Sequence, residues 1–455
     1  MRFAVAISFL VLVTVIGGSL STAAADDGRR LVEVQCTMLD SVQDSLQSTL
    51  LLSLGVKVLH VISFAQVCAL GVQLLDLGIL GDLSDLVDAL LRISGVVAIR
   101  YDPLGSLTLI DTILPEGAPS PGTYDWGMEQ ILVPEVHEDD LQGSGVTVAI
   151  MDTGIDTSHP EFKNAQGFSR ITKGFNAVAG EGGGCNEGTK VGAYGDNNGH
   201  GTHVAGIVAA KGEEIFGAAP KVNLMAVKVL NKDAQGYLSD FLCGLQWVYK
   251  QNVHLVNMSV GFWNDKGLLK KAIESLFQNH VIMVAAAGNK TGSDPSCVSG
   301  FEGGGVDDGD GDGEEESISC NLSSDNVMYP AKYHDWVIGV AATKYNDANN
   351  PLLTQITDYS RYDKEIAVAA PGGQKNDKRI LSTGRKGSYA LSSGTSQATA
   401  HVTGALALAL NNKPTLGFQE ALDKLQATAW DLDAYSEPLN NLKLINVQSF
   451  VGSLQ

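Results

Sequence analysis

Beyond residue 124 the chain alternates short apolar runs with stretches of helical periodicity. Four runs are apolar at nearly every position, and they occupy residues 146–151, 224–229, 255–259 and 281–287. Strands that are apolar on both faces are typical of a parallel sheet that helices cover on each side. The pattern therefore predicts, for residues 124–455, an α/β domain whose sheet is doubly wound and mostly parallel.

A smaller unit with a different order of elements precedes this domain, over residues 26–110. Its strand-like and helix-like segments, identified by apolar spacing, lie at residues 31–35, 38–52, 56–72, 82–91 and 96–101. Residues 56–72 are interpreted as two strands, so the order is β-α-β-β-α-β. This order predicts a small α+β unit with a ferredoxin-like sandwich.

Two other stretches interrupt these patterns. Prolines and glycines accumulate over residues 102–122, which predicts an extended, exposed linker that is easy to cut. Residues 111–123 are interpreted as the linker at which processing occurs. Residues 290–328 are rich in glycine, aspartate and glutamate and have no apolar period. They are interpreted as an acidic surface insertion.

The first 25 residues have the composition of a secretory signal peptide. Arg2 precedes an apolar run over residues 3–16, and small residues follow up to Ala25. The run is short for a bilayer span, so cleavage after Ala25 is predicted, with an uncleaved anchor as the alternative. A second uncharged stretch, residues 58–75, contains polar residues and glycines and is interpreted as paired strands. The chain is therefore expected to be secreted, without membrane attachment once the signal is removed.

The net charge of the chain limits which macromolecules it is expected to bind. Acidic residues outnumber basic ones 51 to 31, which gives a formal net charge of -20. Nucleic acids and anionic membranes would be repelled by such a surface, so neither is expected as a partner. The acidity is interpreted as serving solubility or cation binding, with adaptation to high salt as the alternative.

Six cysteines in an exported chain favour disulfides over free thiols. Cys36 and Cys68 both lie in the N-terminal unit, and Cys297 and Cys320 bracket one loop, so these are the local pairings. Cys185 with Cys243 is the remaining pair. No CxxC spacing supports a zinc site.

Three segments supply side chains for nucleophilic catalysis. Asp152 follows an apolar strand, where open α/β sheets place their sites. His200 lies between two glycines that permit close approach, and Ser396 precedes a helix of small and apolar residues, whose N-terminus favours an oxyanion. A serine needs a neighbouring base to remove its proton, and that base needs a carboxylate to fix its tautomer.

Four segments resemble the signature blocks of the subtilisin-like serine proteases, or subtilases. They read DTGID at 152–156, NGHGTHVAG at 198–206, AAAGN at 285–289 and GTSQATAHVTG at 394–404, and aspartate, histidine and serine occur in the family's order. The resemblance implies a serine endopeptidase that acts through an acyl-enzyme. Asp152 would orient the imidazole, His200 would be general base and then acid, and Ser396 would attack the peptide carbonyl. Asn289 would stabilise the oxyanion together with the Ser396 backbone N–H.

The resemblance also implies how polypeptide substrates bind. Gln235, Gly236 and Tyr237 on one side, and Ser259, Val260 and Gly261 on the other, resemble the two edge segments that hold an extended substrate by strand addition. An endopeptidase of broad specificity on unfolded polypeptides is therefore expected, acting as a monomer and needing no cofactor for the chemistry.

The N-terminal unit resembles the family's propeptide. Such a unit assists folding, inhibits the enzyme as an intramolecular partner and is then removed by the enzyme itself. By the same likeness, residues 124–127 resemble the start of the mature enzyme and residues 443–448 its end. A permanent structural domain is the alternative.

Several positions depart from the family's pattern. Gln397, Thr399 and Ala400 stand where methionine, serine and proline are usual, and residues 211–217 form a shorter loop than the one that holds calcium in some relatives. Conversely, carboxylates alternate with glycines as in calcium loops at Asp308, Asp310 and Asp312. A structural calcium and a solvated acidic loop both stay open at these aspartates, since the expected late glutamate is missing.

Two other functions remain to be tested against the main one. A catalytically silent binding protein would explain the departures in the serine block, and a narrow processing protease would explain an acidic insertion that attracts basic substrates. His159, His203 and His401 are assigned packing and hydrogen-bonding roles. The remaining histidines show no sign of a partner: His60, His137, His254, His280 and His334.

Overall fold

The computed structural model describes residues 29–47, 56–74, 90–106, 114–164, 166–185, 193–263, 267–290, 327–345, 354–375, 377–432 and 442–454. The predicted signal peptide lies outside these residues, as does nearly all of the acidic insertion. Most of the helix predicted at residues 82–91 also lies outside them.

The helices predicted at residues 38–52 and next to Ser396 are both present. The helices are α1 Leu39–Leu46, α2 Trp126–Gln130, α3 Val133–Glu138, α4 His200–Ala209, α5 Leu238–Tyr249, α6 Leu268–Gln278, α7 Thr395–Asn412, α8 Phe418–Thr428 and α9 Val447–Gly452.

The strands include the four apolar runs, each within one or two residues of its predicted bounds. They are β1 Arg29–Val34, β2 Val56–Phe64, β3 Val67–Leu74, β4 Val96–Tyr101, β5 Leu104–Ser106, β6 Leu114–Glu116, β7 Thr123–Tyr124, β8 Thr147–Asp152, β9 Ile171–Asn176, β10 Ile215–Phe216, β11 Asn223–Lys228, β12 Gln235–Tyr237, β13 Leu255–Met258, β14 Ile282–Ala286, β15 Val337–Lys344, β16 Gln355–Ile356, β17 Val368–Pro371, β18 Ile380–Thr383, β19 Tyr389–Ser392, β20 Trp430–Asp431 and β21 Lys443–Leu444.

The large sheet has ten strands in the order β20-β21-β17-β15-β14-β13-β8-β11-β9, with β16 beside β15. The pairings from β9 to β21 are parallel, while β16 and β20 pair antiparallel. Apolar residues are buried on both faces, as parallel strands require. The predicted doubly wound, mostly parallel α/β sheet is confirmed.

The direction of winding reverses between β8 and β13. From β8 the chain continues to β9 and β11 on one side, and from β13 to β14, β15 and β17 on the other. In open α/β sheets the crevice at the carboxyl ends of such strands is the usual ligand site. Asp152 ends β8, and Ser259 directly follows β13, so both lie at this crevice.

The N-terminal unit forms a separate antiparallel sheet. Its strands have the order β2-β3-β1-β4, which is the arrangement expected of the predicted ferredoxin-like sandwich. One face packs on α1 and forms its own core. The other face joins the core of the large domain through Leu31, Ile62 and Phe64, where β2 packs against α5.

The prediction of an exposed linker over residues 102–122 is wrong at its start. Asp102 is only 5% exposed, and β5 pairs antiparallel with β12 of the large domain. Further on, β6 pairs with β19. These strands find partners that are distant along the chain, and local composition carries no sign of such pairing.

Two of the predicted disulfides are confirmed, Cys36–Cys68 and Cys185–Cys243. The predicted Cys297–Cys320 pair lies outside the described residues. Among the residues that the structure describes, no helix combines the length and the apolar character needed to cross a membrane.

Candidate active site

Asp152 lies at the carboxyl end of β8 and is fully buried. Its Oδ1 accepts a hydrogen bond of 2.7 Å from the Thr153 backbone N–H. The neighbouring strand β11 places Lys228 opposite it, and Lys228 Nζ donates to the Thr153 carbonyl at 2.9 Å. These contacts fix the backbone that carries the carboxylate.

His200 is the first residue of α4, and its ring faces Asp152. Nδ1 lies 2.8 Å from Asp152 Oδ1 and 2.9 Å from Oδ2. An ionised carboxylate only accepts, so Nδ1 carries the hydrogen and Nε2 is left with the lone pair of a base. The Asp152 carboxylate thereby fixes the tautomer that general-base catalysis needs.

The close approach of α4 to β8 depends on Gly201. A Cβ at this position would lie 2.1 Å from the Gly154 carbonyl oxygen and 3.1 Å from Asp152 Oδ1. Glycine is therefore needed for His200 to reach Asp152, as the two glycines flanking the histidine predicted.

Asp196 ties the two segments together, a role that the sequence did not indicate. Its Oδ1 accepts from Thr153 Oγ1 at 2.9 Å and from the Gly199 N–H at 2.8 Å. Its Oδ2 accepts from the Thr202 N–H at 3.0 Å and from Thr202 Oγ1 at 2.6 Å. One buried carboxylate thus holds the first turn of α4 and the residue after Asp152. Its position just before a helix is the signal that could have suggested a cap.

Ser396 is the second residue of α7 and is 6% exposed. Its Oγ lies 3.5 Å from the Ser259 carbonyl oxygen, so it faces the crevice at the end of β13. α7 packs against α4, where Gln397 Nε2 lies 3.5 Å from His203 Nδ1. The fold therefore brings the helices of Ser396 and His200 into contact, with Gln397 and His203 bridging them.

Asn289 follows β14 and lies beside the start of α7. Its Oδ1 accepts from the Thr395 N–H at 3.0 Å and from Thr395 Oγ1 at 2.9 Å. The point where a Gly394 Cβ would stand lies 2.9 Å from Gln397 Oε1, 3.3 Å from Asn289 Nδ2 and 3.7 Å from the Ser396 backbone nitrogen. Asn289 and Ser396 also line one small pocket, so their N–H groups lie beside the same space.

Comparison with known proteins agrees with this arrangement. Residues 143–448 match the profile of the subtilase family. The chain belongs to this family. It is 33% identical to the major intracellular serine protease of Bacillus subtilis over 328 residues, which are 71% of this chain and 86% of that protein. It is also 33% identical to subtilisin of Bacillus pumilus over 326 residues, 71% of this chain and 97% of that protein. The chain is therefore a serine-type endopeptidase.

The two segments predicted to bind substrate lie on either side of β5. Gln235, Gly236 and Tyr237 form β12, whose edge is paired with β5. Gly105 of β5 packs closely against the ring of Phe262. A Cβ added at Gly105 would lie only 2.4 Å from Phe262 Cε1. Ser259, Val260 and Gly261 line a small pocket beside Ser396. A strand of the N-terminal unit thus covers one of the two edges.

The three histidines given structural roles are buried and hydrogen-bonded in this subtilase. Burial lowers the pKa of His203 to about 3 and that of His401 to about 4. His203 Nε2 lies 3.1 Å from the Ala390 carbonyl oxygen, and His401 Nδ1 donates to the Gln397 carbonyl at 2.9 Å. Burial also lowers the pKa of His159, whose Nε2 donates to the Ser388 carbonyl at 2.8 Å. All three are therefore neutral at pH 7.

His60 has a partner, although the sequence showed none. Its Nε2 lies 2.7 Å from Asp240 Oδ1, between the N-terminal sheet and α5. One nitrogen of this ring and the sulfurs of Cys185 and Cys243 lie within 4.8 Å of one another. Because the two sulfurs are joined as a disulfide, they do not act as thiolate ligands for a metal.

The loop at 211–217 is organised by Glu161, a second residue whose role the sequence did not indicate. The fully buried Glu161 carboxylate accepts four backbone N–H groups of this loop at 2.7–3.1 Å, and Tyr389 Oη donates to it at 3.0 Å. The candidate calcium ligands Asp308, Asp310 and Asp312 lie outside the described residues.

Proposed function

We propose that Asp152, His200 and Ser396 form the catalytic triad of this serine endopeptidase. The observation that carries the proposal is the pair of contacts from His200 Nδ1 to the Asp152 carboxylate, at 2.8 and 2.9 Å. This pair orients a neutral imidazole, and α7, which packs on the His200 helix, carries the serine.

Acylation begins when His200 Nε2 takes the proton of Ser396 Oγ and that oxygen attacks the peptide carbonyl carbon. The carbonyl oxygen becomes an oxyanion, and the imidazolium is stabilised by Asp152. The C–N bond then breaks, and His200 gives its proton to the leaving amine. Water, activated in the same way, hydrolyses the ester and restores the serine.

Asn289 Nδ2 and the Ser396 backbone N–H are proposed to bind the oxyanion. Both residues line the small pocket beside the serine. The N-terminus of α7 adds its partial positive charge there. Losing a donor of this kind costs about 100- to 1,000-fold in kcat, so Asn289→Ala should fall in that range.

We further propose that residues 26–110 are a propeptide that inhibits the enzyme until it is removed. Support comes from β5, which occupies the β12 edge that an extended substrate would use. Arg29 strengthens the docking, since it reaches Asp102, Ser239 and Asp240 in a buried cluster. Secretion is proposed from the signal-peptide composition of residues 1–25 and is in keeping with the disulfides.

The test is replacement of Ser396 by Ala in the full chain. Wild-type protein should hydrolyse unfolded polypeptides broadly and yield a product whose N-terminal sequence lies after the N-terminal unit. Ser396→Ala should stay at full length after signal removal and hydrolyse nothing above background. Wild-type processing or proteolysis by this variant would refute the proposal.

A further inference from the structure

A basic side chain of the N-terminal unit is bound at the start of α5. Arg29 Nη2 donates to Ser239 Oγ at 2.7 Å and lies 3.5 Å from Asp240 Oδ1. The Arg29 Cζ lies 4.0 Å from the centre of the Tyr237 ring, within the range of a cation–π contact. A hydroxyl, a carboxylate and an aromatic face of the large domain thus surround one guanidinium group. We call these three residues, Tyr237, Ser239 and Asp240, the Asp240 site.

The large domain itself holds the Asp240 carboxylate in place. Oδ2 accepts from the Tyr237 N–H at 3.1 Å, and Oδ1 accepts from the Ala179 N–H at 3.2 Å. Two basic side chains also contact Oδ1, and both belong to the N-terminal unit: Arg29, and His60, whose Nε2 lies 2.7 Å away. Removal of that unit therefore takes both basic side chains away and leaves a fixed carboxylate that favours another cation.

The Asp240 site lies beside the strand edge at which an extended polypeptide would bind. Leu104 of β5 pairs with Tyr237 of β12. Slightly earlier in the same segment, Asp102 Oδ2 lies 3.3 Å from Arg29 Nη2. A substrate that replaces this segment on the β12 edge would place one side chain where Asp102 now lies. An arginine at that position, being longer than an aspartate, would carry its guanidinium to the place that Arg29 occupies.

We propose that the mature enzyme uses the Asp240 site to bind an arginine side chain of its polypeptide substrate, at the position that Asp102 occupies in the full chain. This inference rests on the proposed function, since it requires both an active enzyme and removal of residues 26–110. Arginine fits better than lysine, because its planar guanidinium can stack on Tyr237 while it donates to the carboxylate and the hydroxyl.

The experiment uses pairs of peptides that differ only in arginine or citrulline, which has nearly the same shape without the charge. The arginine or citrulline is moved one position at a time through the residues that precede the cleaved bond. The wild-type enzyme should prefer arginine by at least about 5-fold in kcat/KM at one position, as one ion pair and one cation–π contact predict. The preference should shrink as the salt concentration rises.

Three variants locate the preference. Asp240→Asn keeps an oxygen that can accept the Tyr237 N–H but removes the charge, so it should abolish the preference for arginine. Tyr237→Leu removes the aromatic face and should weaken the preference. Asp233→Asn makes the same change in net charge at a side chain that is 59% exposed, and it should keep the full preference. This control separates a local site from the field of the whole acidic protein.

Titration with a fluorophosphonate gives the concentration of active enzyme in each preparation. With labelled wild-type enzyme, equal cleavage of every arginine and citrulline pair would overturn the inference and leave the proposed function intact. So would a preference that is the same at every position, that does not respond to salt, or that Asp240→Asn retains. The salt series needs only the wild type, so it decides the matter even if the variants do not mature.

Failure of the proposed function has a different signature. A wild-type protein that neither labels nor cleaves any peptide, or an active enzyme whose N-terminal sequence still includes the N-terminal unit, would overturn the proposed function and this inference with it.

Discussion

His200 Nδ1 lies 2.8 Å from Asp152 Oδ1, although the two residues are 48 positions apart in the chain. Asp152 ends a strand of the central sheet, and His200 begins a helix that glycine allows to approach that strand. The contact is buried from solvent at both ends. Its chemical consequence is one defined imidazole tautomer.

Asp152→Asn tests that consequence. An amide in place of the carboxylate can donate to Nδ1 and so favour the wrong tautomer, with little change in shape. We expect kcat to fall by about 10,000-fold while the unfolding midpoint changes little. Peptide hydrolysis and urea unfolding of the same preparation would measure both, and a loss of less than about tenfold would contradict the assigned role.

Asp196→Asn tests whether Asp196 positions the pair. The variant keeps one acceptor oxygen but replaces the other by an amide that donates, so Thr202 or Thr153 loses its acceptor. We expect kcat to fall by up to about 100-fold, as small misplacements do, with KM nearly unchanged. Asp233→Asn makes the same chemical change at a side chain that is 59% exposed and should match the wild type.

Glu161→Gln tests the organisation of the loop at 211–217. In the wild type, the backbone N–H groups of the loop donate to the Glu161 carboxylate. In the variant, one carboxylate oxygen is replaced by an NH₂ group, which cannot accept their hydrogen bonds. The variant should lose about 2–4 kcal/mol of unfolding free energy, since buried donors are left unsatisfied. Urea unfolding in the Ser396→Ala background avoids self-digestion. Glu213→Gln, at a side chain that is 57% exposed, is the control and should lose little.

The burial of His203 predicts a dependence of stability on pH. Its folded pKa of about 3 lies below the unfolded value of 6.5, so the unfolded state binds more protons between these values. The contribution of His203 to the free energy of unfolding is therefore fully present above pH 6.5. It falls by about 1.4 kcal/mol per pH unit as the pH drops towards 3.

His203→Gln should remove that contribution to the slope. Burial raises the pKa of Asp125 to about 7, which gives a slope of opposite sign, but this contribution is common to both proteins and cancels in the difference. Unfolding free energies of the Ser396→Ala chain with and without His203→Gln should converge between pH 6 and pH 4. Parallel lines over this range would show that His203 is not buried as a neutral group.

The sheet and much of the site could be predicted from the sequence because their signals are local. Apolar runs at residues 146–151 and 224–229 mark β8 and β11 to within one residue, and the glycines around His200 indicate a close approach. The position of Asp152 after a strand follows from the same pattern.

The remaining features depend on partners that are distant along the chain. The pairing of β5 with β12 brings Gly105 against the ring of Phe262, yet residues 102–122 have the composition of a linker. Asp196 and Glu161 bind backbone N–H groups, which every sequence contains, so their roles are invisible without coordinates. Met328 is the last residue of the acidic insertion, and only the fold shows that it lies between Gly261 and Gly288.

The most direct test of the central claim is covalent labelling of the wild-type enzyme with a fluorophosphonate, followed by mass spectrometry of its peptides. The account predicts stoichiometric modification of Ser396, accompanied by complete loss of peptidase activity, and no labelling of Ser396→Ala. Modification at a different residue, or full peptidase activity with Ser396 unlabelled, would contradict it.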